Sequence, residues 1–381
     1  MRRPRVVYWN NIPSPYHVER LNAVADRGAV DLEAWFCART ESDRSWAVDE
    51  TAFHFRHRYV PGARLGRTWT GGHYLNIPSP LLGRRTPDLL VSLYAEPTFL
   101  AGLALARARG VRTVLRYLPT YNAWVRRTRL KEMTKRRLFQ RVDGFKTPGP
   151  EGLNQLVRYG VDPARVHQVT QSIDVQRFVE GSERWRPHRD EVRAALGAHG
   201  VVFIYVGRLW RGKGLDHLLA AYQSLTEAGT ADTTLLLVGD GRDEALYRAQ
   251  AARNTRGRVL FAGFVQQPDL PRLYAASDVF VFPTLGDPNG LVVEEAMVSG
   301  LPVIAFDAAG DVRHRVPEGI AGYVVPTGDV RQLEGRMRDL LTDQDMARRM
   351  GAAGRQVASL KTHERYARDF ERMVEAVLAD R

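Results

Sequence analysis

The chain has 381 residues, of which 44% are hydrophobic and 26% charged. That is enough apolar material for two or three packed domains and too much for a disordered chain. Its formal net charge of +12 comes mainly from arginine, which favours phosphates, nucleotides or an acidic membrane face as partners. The single cysteine, Cys37, excludes a disulfide framework and reads as a small buried residue. No apolar run approaches the roughly 18 residues of a membrane span, so a cytoplasmic protein is expected.

Short apolar or β-branched runs alternate with segments of helical period, the pattern of parallel sheets wrapped by helices. Strands are predicted at 5–9, 32–38, 89–94, 112–117, 144–147 and 166–170, with helices at 17–26, 97–109, 124–141 and 151–159. Residues 39–85 lack clear periodicity and read as an active-site insertion. From 179 to 200 the chain turns polar and charged, which marks a linker between an N-terminal domain (1–178) and a C-terminal one (201–361). The second strand series falls at 201–206, 234–238, 259–261, 279–283 and 302–306. A last helix, within 362–381, follows the completed second domain and is expected to pack back on the first.

The strand 201–206 runs into Gly207, Arg208 and then Gly212, Lys213 and Gly214 before a helix opens. Glycines allow close backbone approach and a helix N-terminus favours anions. Arg208 and Lys213 would present two positive charges to a diphosphate, or the turn is a simple one with two solvated cations. After the strand 279–283, Asp287 and Glu295 stand eight positions apart, so both can face the carboxyl edge of the sheet, where ligands of open α/β folds bind. Asp287 would sit beside a sugar and Glu295 would accept hydrogen bonds from ribose hydroxyls; a helix cap and an exposed acid are the alternatives. Glu294 reads as exposed.

These segments resemble the GT-B-fold glycosyltransferases of family 4. The resemblance rests on G-R-x(4)-K-G at 207–214, V-G-D-G at 238–241, F-x-G-F at 261–264, D-V-F-V-F-P-T at 278–284 and the acidic stretch 287–304. It is strong from about 201 to 328 and weak before 150. It implies two Rossmann-like domains with parallel sheets facing across a cleft, and retaining transfer from a nucleoside-diphosphate sugar to an acceptor hydroxyl. Gly207, Arg208 and Lys213 would hold the diphosphate, Glu295 the ribose, and Asp287 with the backbone of Asn289, Gly290 and Leu291 the sugar and distal phosphate. Phe264 and Val265 would line a base pocket or pack in the core, and Gly239 would serve turn geometry. Asp287 stands where the family usually has glutamate, and Asn289-Gly290 where it has Phe-Gly.

Acceptor-side candidates are Asn11, Tyr16 and His17 around a proline-stiffened loop, Glu96 after the third strand, and Tyr117 after the fourth. Glu96 also suits a helix N-terminus. The family histidine near the transferred sugar has no counterpart in the stretch Leu118 to Tyr121. The basic stretch 124–141 reads as an amphipathic helix facing either water or anionic lipid. No nucleic-acid-binding motif is present. No D-x-D pair lies on a donor-site loop, so a metal-independent hexosyl transfer without a cofactor is expected. The acceptor is a hydrophilic or natural-product scaffold or a lipid-linked glycan. The competing readings are a nucleotide-sugar-binding pseudo-transferase or partner subunit, and a nicotinamide oxidoreductase, which lacks its glycine fingerprint after the first strand.

Overall fold

The computed structural model describes residues 2–41, 46, 48–65, 73–93, 96–118, 129–229, 232–254 and 256–379. These form two compact units. The first takes the chain up to Leu118, then 129–172, and the segment from His363 onward; the second takes the described residues from Ile173 to Thr362.

In the first unit, β1 (Arg5–Asn10), β2 (Asp31–Phe36), β3 (Arg56–Tyr59), the hairpin β4 (Gly62–Leu65) and β5 (His73–Asn76), β6 (Leu89–Ser92), β7 (Arg112–Arg116), β8 (Gly144–Thr147) and β9 (Val166–Gln168) follow in sequence. Seven of them make one parallel sheet in the order β3-β2-β1-β6-β7-β8-β9. Central strands such as β1 are buried on both faces, as parallel sheets require. The helix Pro15–Arg27 starts at the N-cap Ser14 with proline at its first position and stops at Gly28, whose φ of 66° is left-handed. The helix His363–Ala379 packs on it, burying Tyr366, Phe370, Met373, Val374 and Val377, with Glu371 paired to Arg27 at 2.9 Å.

The stretch 39–85, expected as an unstructured insertion, supplies β3 and the hairpin. Its edge strand reads Arg-His-Arg-Tyr and alternates exposed with half-buried positions, so it carries no apolar signal. Trp124 to Thr128, the start of the basic amphipathic stretch, lie outside the described residues; Arg129–Phe139 is helical.

The second unit holds β10 (Val201–Val206), β11 (Thr233–Val238), β12 (Arg258–Gly263), β13 (Val279–Phe282), β14 (Val303–Phe306) and β15 (Gly322–Val325). They form a six-stranded parallel sheet in the order β12-β11-β10-β13-β14-β15. The strand order reverses between β10 and β13, which opens a crevice at their carboxyl ends. Sequence reading missed β15, a four-residue strand. The expected linker 179–200 is largely helical: Val175–Trp185 and Arg189–Leu196 belong to this unit, with Phe178 buried in its core. It reads as polar because Arg189 and Arg193 turn inward to a single carboxylate, Asp278.

Candidate functional site

Three loops meet at the β10/β13 switch. Gly207 donates its N–H to Val238 O at 2.9 Å, Leu209 to Asp240 O at 2.7 Å, and Leu285 to Gly212 O at 3.1 Å. The approach is too close for side chains. A Cβ on Gly239, whose φ is 133°, would lie 2.0 Å from Gly207 O, and one on Gly214, at φ 67°, 1.9 Å from Pro283 O. These glycines therefore set the spacing of the loops.

The contact that ties the site together joins residues 74 positions apart: the Lys213 ammonium pairs with Asp287 Oδ2. Asp287 Oδ1 accepts the backbone N–H groups of Asn289 at 2.8 Å and Gly290 at 2.7 Å. Burial pushes the Asp287 carboxyl up, but the charge and hydrogen bond of Lys213 and the two N–H groups together hold it well below the usual carboxylate range. Arg208 is half-buried, 5.8 Å from the Trp210 ring, with Arg242 5.3 Å from the same ring, and Tyr205 feels the charges of both Arg208 and Asp287. Tyr205 beneath them donates to Arg208 O at 2.9 Å.

Glu294, expected to be exposed, is 1% exposed and carries a buried ion-pair network. Arg315 Nε donates to its Oε1 at 2.7 Å and a second Arg315 N–H donates to Oε2; Lys361 reaches Oε1 at 2.7 Å. Arg315 also holds Gly290 O at 2.8 Å and Gly310 O at 3.0 Å. The helix Val292–Val298 is buried on all sides from Val293 onward, so even its outward acid meets protein. Glu295 is 0% exposed and accepts a hydrogen bond from Tyr274 at 3.1 Å. Leu291 and Val265 lean on the core, and Phe264 is half-buried just past β12.

In the first unit Asn11 donates to the buried Glu41 at 3.0 Å, and Tyr74 donates to the same oxygen at 2.6 Å. Tyr16 is half-buried in the first turn of the helix Pro15–Arg27. His17 places Nε2 3.0 Å from an Arg116 nitrogen, and Nδ1 2.9 Å from Ser14 Oγ and 2.7 Å from Asn10 Nδ2. Two acceptor-side candidates are placed elsewhere. Glu96 is bound to the hairpin through His73 at 2.9 Å and Tyr74 N at 3.3 Å. Tyr117 is 2% exposed, donates to Gln155 at 2.8 Å and stacks edge-on with Phe139; its ring packs in the core with Leu115 and Phe145. Sequence reasoning missed Trp210, Arg315 and Glu41, whose partners lie far off in the chain.

Residues 189–357 match the Glycosyl transferases group 1 family. That segment lies wholly within the second unit. It is 28% identical over 334 residues to the sulfoquinovosyl transferase of Arabidopsis thaliana, covering 81% of this chain and 63% of that protein. With the GDP-mannose-dependent alpha-mannosyltransferase of Mycobacterium tuberculosis it shares 30% identity over 249 residues, 62% of this chain and 60% of that protein. The chain thus spans less than two thirds of these curated relatives. Among solved structures, sucrose-phosphate synthase from Thermosynechococcus elongatus superposes with a TM-score of 0.76 at 20% identity, with all of both chains covered. Anabaena HepE in complex with UDP and glucose does so at 0.75 and 15%, covering 98% and 99% of the two chains; these likenesses concern the fold. As in those GT-B proteins, parallel sheets form two Rossmann-like halves. Among the described residues no helix is long and apolar enough to cross a membrane.

Proposed function

We propose that this chain is a retaining glycosyltransferase of family 4 that moves a sugar from a nucleoside-diphosphate sugar to an acceptor hydroxyl. The observation that carries the reading is the Lys213–Asp287 pair at the β10/β13 switch, with Arg208 in the same loop as Lys213. Departure of the leaving group adds negative charge to the diphosphate, and fixed cations aimed at that charge stabilise the transition state. Lys213 and Arg208 supply it without a metal. Asp287 keeps Lys213 in place through Oδ2 while its other oxygen shapes the turn at Asn289 and Gly290, whose backbone faces the transferred sugar and distal phosphate. Glu295 is assigned the ribose hydroxyls, which it reaches by exchanging its bond from Tyr274. Phe264 and Val265 are assigned to the base. Retention of configuration rests on the family resemblance.

Transfer assays against a panel of nucleotide sugars, with product anomers read by NMR, test this. Activity should persist in EDTA. Arg208→Ala or Lys213→Ala should lower kcat by about 10²-fold or more, because an interaction that strengthens in the transition state acts on turnover. Glu295→Gln should weaken donor binding instead. Loss of transfer in EDTA with rescue by Mg²⁺, or near-normal rates in both cation variants, refutes the mechanism.

The described part of the basic helix carries exposed Leu130 (70%) and Met133 (47%) among its arginines, which supports a peripheral contact with anionic lipid.

A further inference from the structure

The first unit buries three cations together on the sheet face covered by the helices Pro15–Arg27 and His363–Ala379. Arg20 is 3% exposed, Lys146 5% and Arg116 6%. Arg20 donates twice to Ser172 O, at 3.1 and 2.6 Å. Arg116 donates to Asn10 Oδ1 at 2.9 Å, and lies 3.0 Å from His17 Nε2 and 4.7 Å from the Tyr8 ring centroid. Lys146 and Arg20 share the Tyr366 ring, at 4.9 and 5.6 Å. None of these partners is a carboxylate. The acids that act on the cluster are Asp369 and Glu19. Asp369 is paired with Arg372 and accepts Thr170 N–H at 3.2 Å; Glu19 faces His363 at 3.4 Å.

Elsewhere in the molecule buried arginines meet carboxylates, as Arg193 meets Asp278 and Arg315 meets Glu294. Clustering like charges in a low-dielectric interior is unfavourable unless an anion joins them. Arg116 ends β7 and Asn10 ends β1, so the cluster lies at the carboxyl edge, where the loops of an open α/β sheet receive ligands.

We propose that Arg20, Arg116 and Lys146 form a binding site for a phosphate-like oxyanion carried by the acceptor. Two guanidinium groups and one ammonium provide the directed donors and the point charge that such a group takes. Burial, then the charges of Arg116 and Arg20, push the Lys146 ammonium well below its ordinary range, against the pull of Asp369, and a bound anion acts in the opposite direction. That the oxyanion belongs to the acceptor rests on the glycosyltransferase reading; the site itself does not.

The test uses the whole chain without donor, so that it stands apart from any transfer assay. Inorganic phosphate at constant ionic strength should raise the melting temperature of the wild type by roughly 5–10 °C at a hundredfold excess over Kd. Lys213→Ala should keep that rise and Lys146→Met should lose it, while Lys146→Met should itself melt higher without phosphate. Calorimetry with sulfate should show binding by the wild type and none by Lys146→Met. No rise beyond a chloride control, or an equal rise in Lys146→Met, overturns the site. Glucose 6-phosphate should bind more tightly than inorganic phosphate, with glucose alone inert. Equal affinity for the two phosphates overturns the acceptor assignment.

Discussion

Glu294→Gln should destabilise the second unit by about 3 kcal/mol at neutral pH. Burial alone pushes the Glu294 carboxyl up, but Arg315 and Lys361 overcome it and hold the group at about 2, against an ordinary 4.5. A difference of that size corresponds to about 3 kcal/mol of pH-dependent stability, and breaking a buried pair from one side costs about 3–5 kcal/mol. The folded value is depressed, so the contribution is fully present above pH ~4.5 and is lost as the pH falls through ~2. Glutamine keeps the shape but leaves Arg315 and Lys361 without a counter-charge. In a unit of this size the melting temperature should fall by roughly 6–12 °C. Thermal unfolding followed by circular dichroism at a series of pH values measures it, with the gap between variant and wild type closing from pH ~4.5 down to ~2. A gap that stays constant through that range, or one below about 1 kcal/mol at neutral pH, refutes the assignment of a charged Glu294.

Gly239→Ala sets a Cβ 2.0 Å from Gly207 O at a φ of 133° and should cost at least about 2 kcal/mol in urea denaturation; near-normal stability would show that the two loops slide apart freely. Tyr117→Phe removes one hydrogen bond, to Gln155, and should cost about 1 kcal/mol with kcat and KM unchanged, whereas a large rise in KM for the acceptor would return this residue to the site. Binding to anionic vesicles through the basic helix should weaken as salt rises from 0.1 to 1 M, since the screening length shrinks from about 10 to 3 Å. Equal retention on neutral vesicles, or none on either kind, removes the helix from any lipid contact.

Both sheets were legible wherever a strand is apolar on both faces, as in Val201–Val206 or Leu89–Ser92. Arg56–Tyr59 was hidden because an edge strand with charged residues carries no such signal. Site residues were legible where a local turn and its charges stand together, as at Gly207 to Gly214. Their pairing was not: nothing near Lys213 announces Asp287, since the contact exists only because β10 and β13 are neighbours in the sheet. Glu294 was misread for the same reason, as its partners Arg315 and Lys361 come 21 and 67 positions later.

The net charge of +12 suggested anionic partners at the surface, and the structure divides that charge differently. Arg189, Arg193 and Arg315 are neutralised inside the second unit by Asp278 and Glu294, so they add nothing to an external field. Lys213 is held by Asp287 at the proposed donor site and is freed for a diphosphate only as that pair yields. Arg20, Arg116 and Lys146 remain buried among neutral oxygens, a histidine and aromatic rings. Among the described residues, Arg193 and Arg315 are given carboxylates and this cluster meets none directly, which leaves its counter-charge to a ligand. Partner-directed charge in this molecule is therefore to be sought first at the carboxyl edges of its two sheets, and the exposed arginines of the basic helix come second.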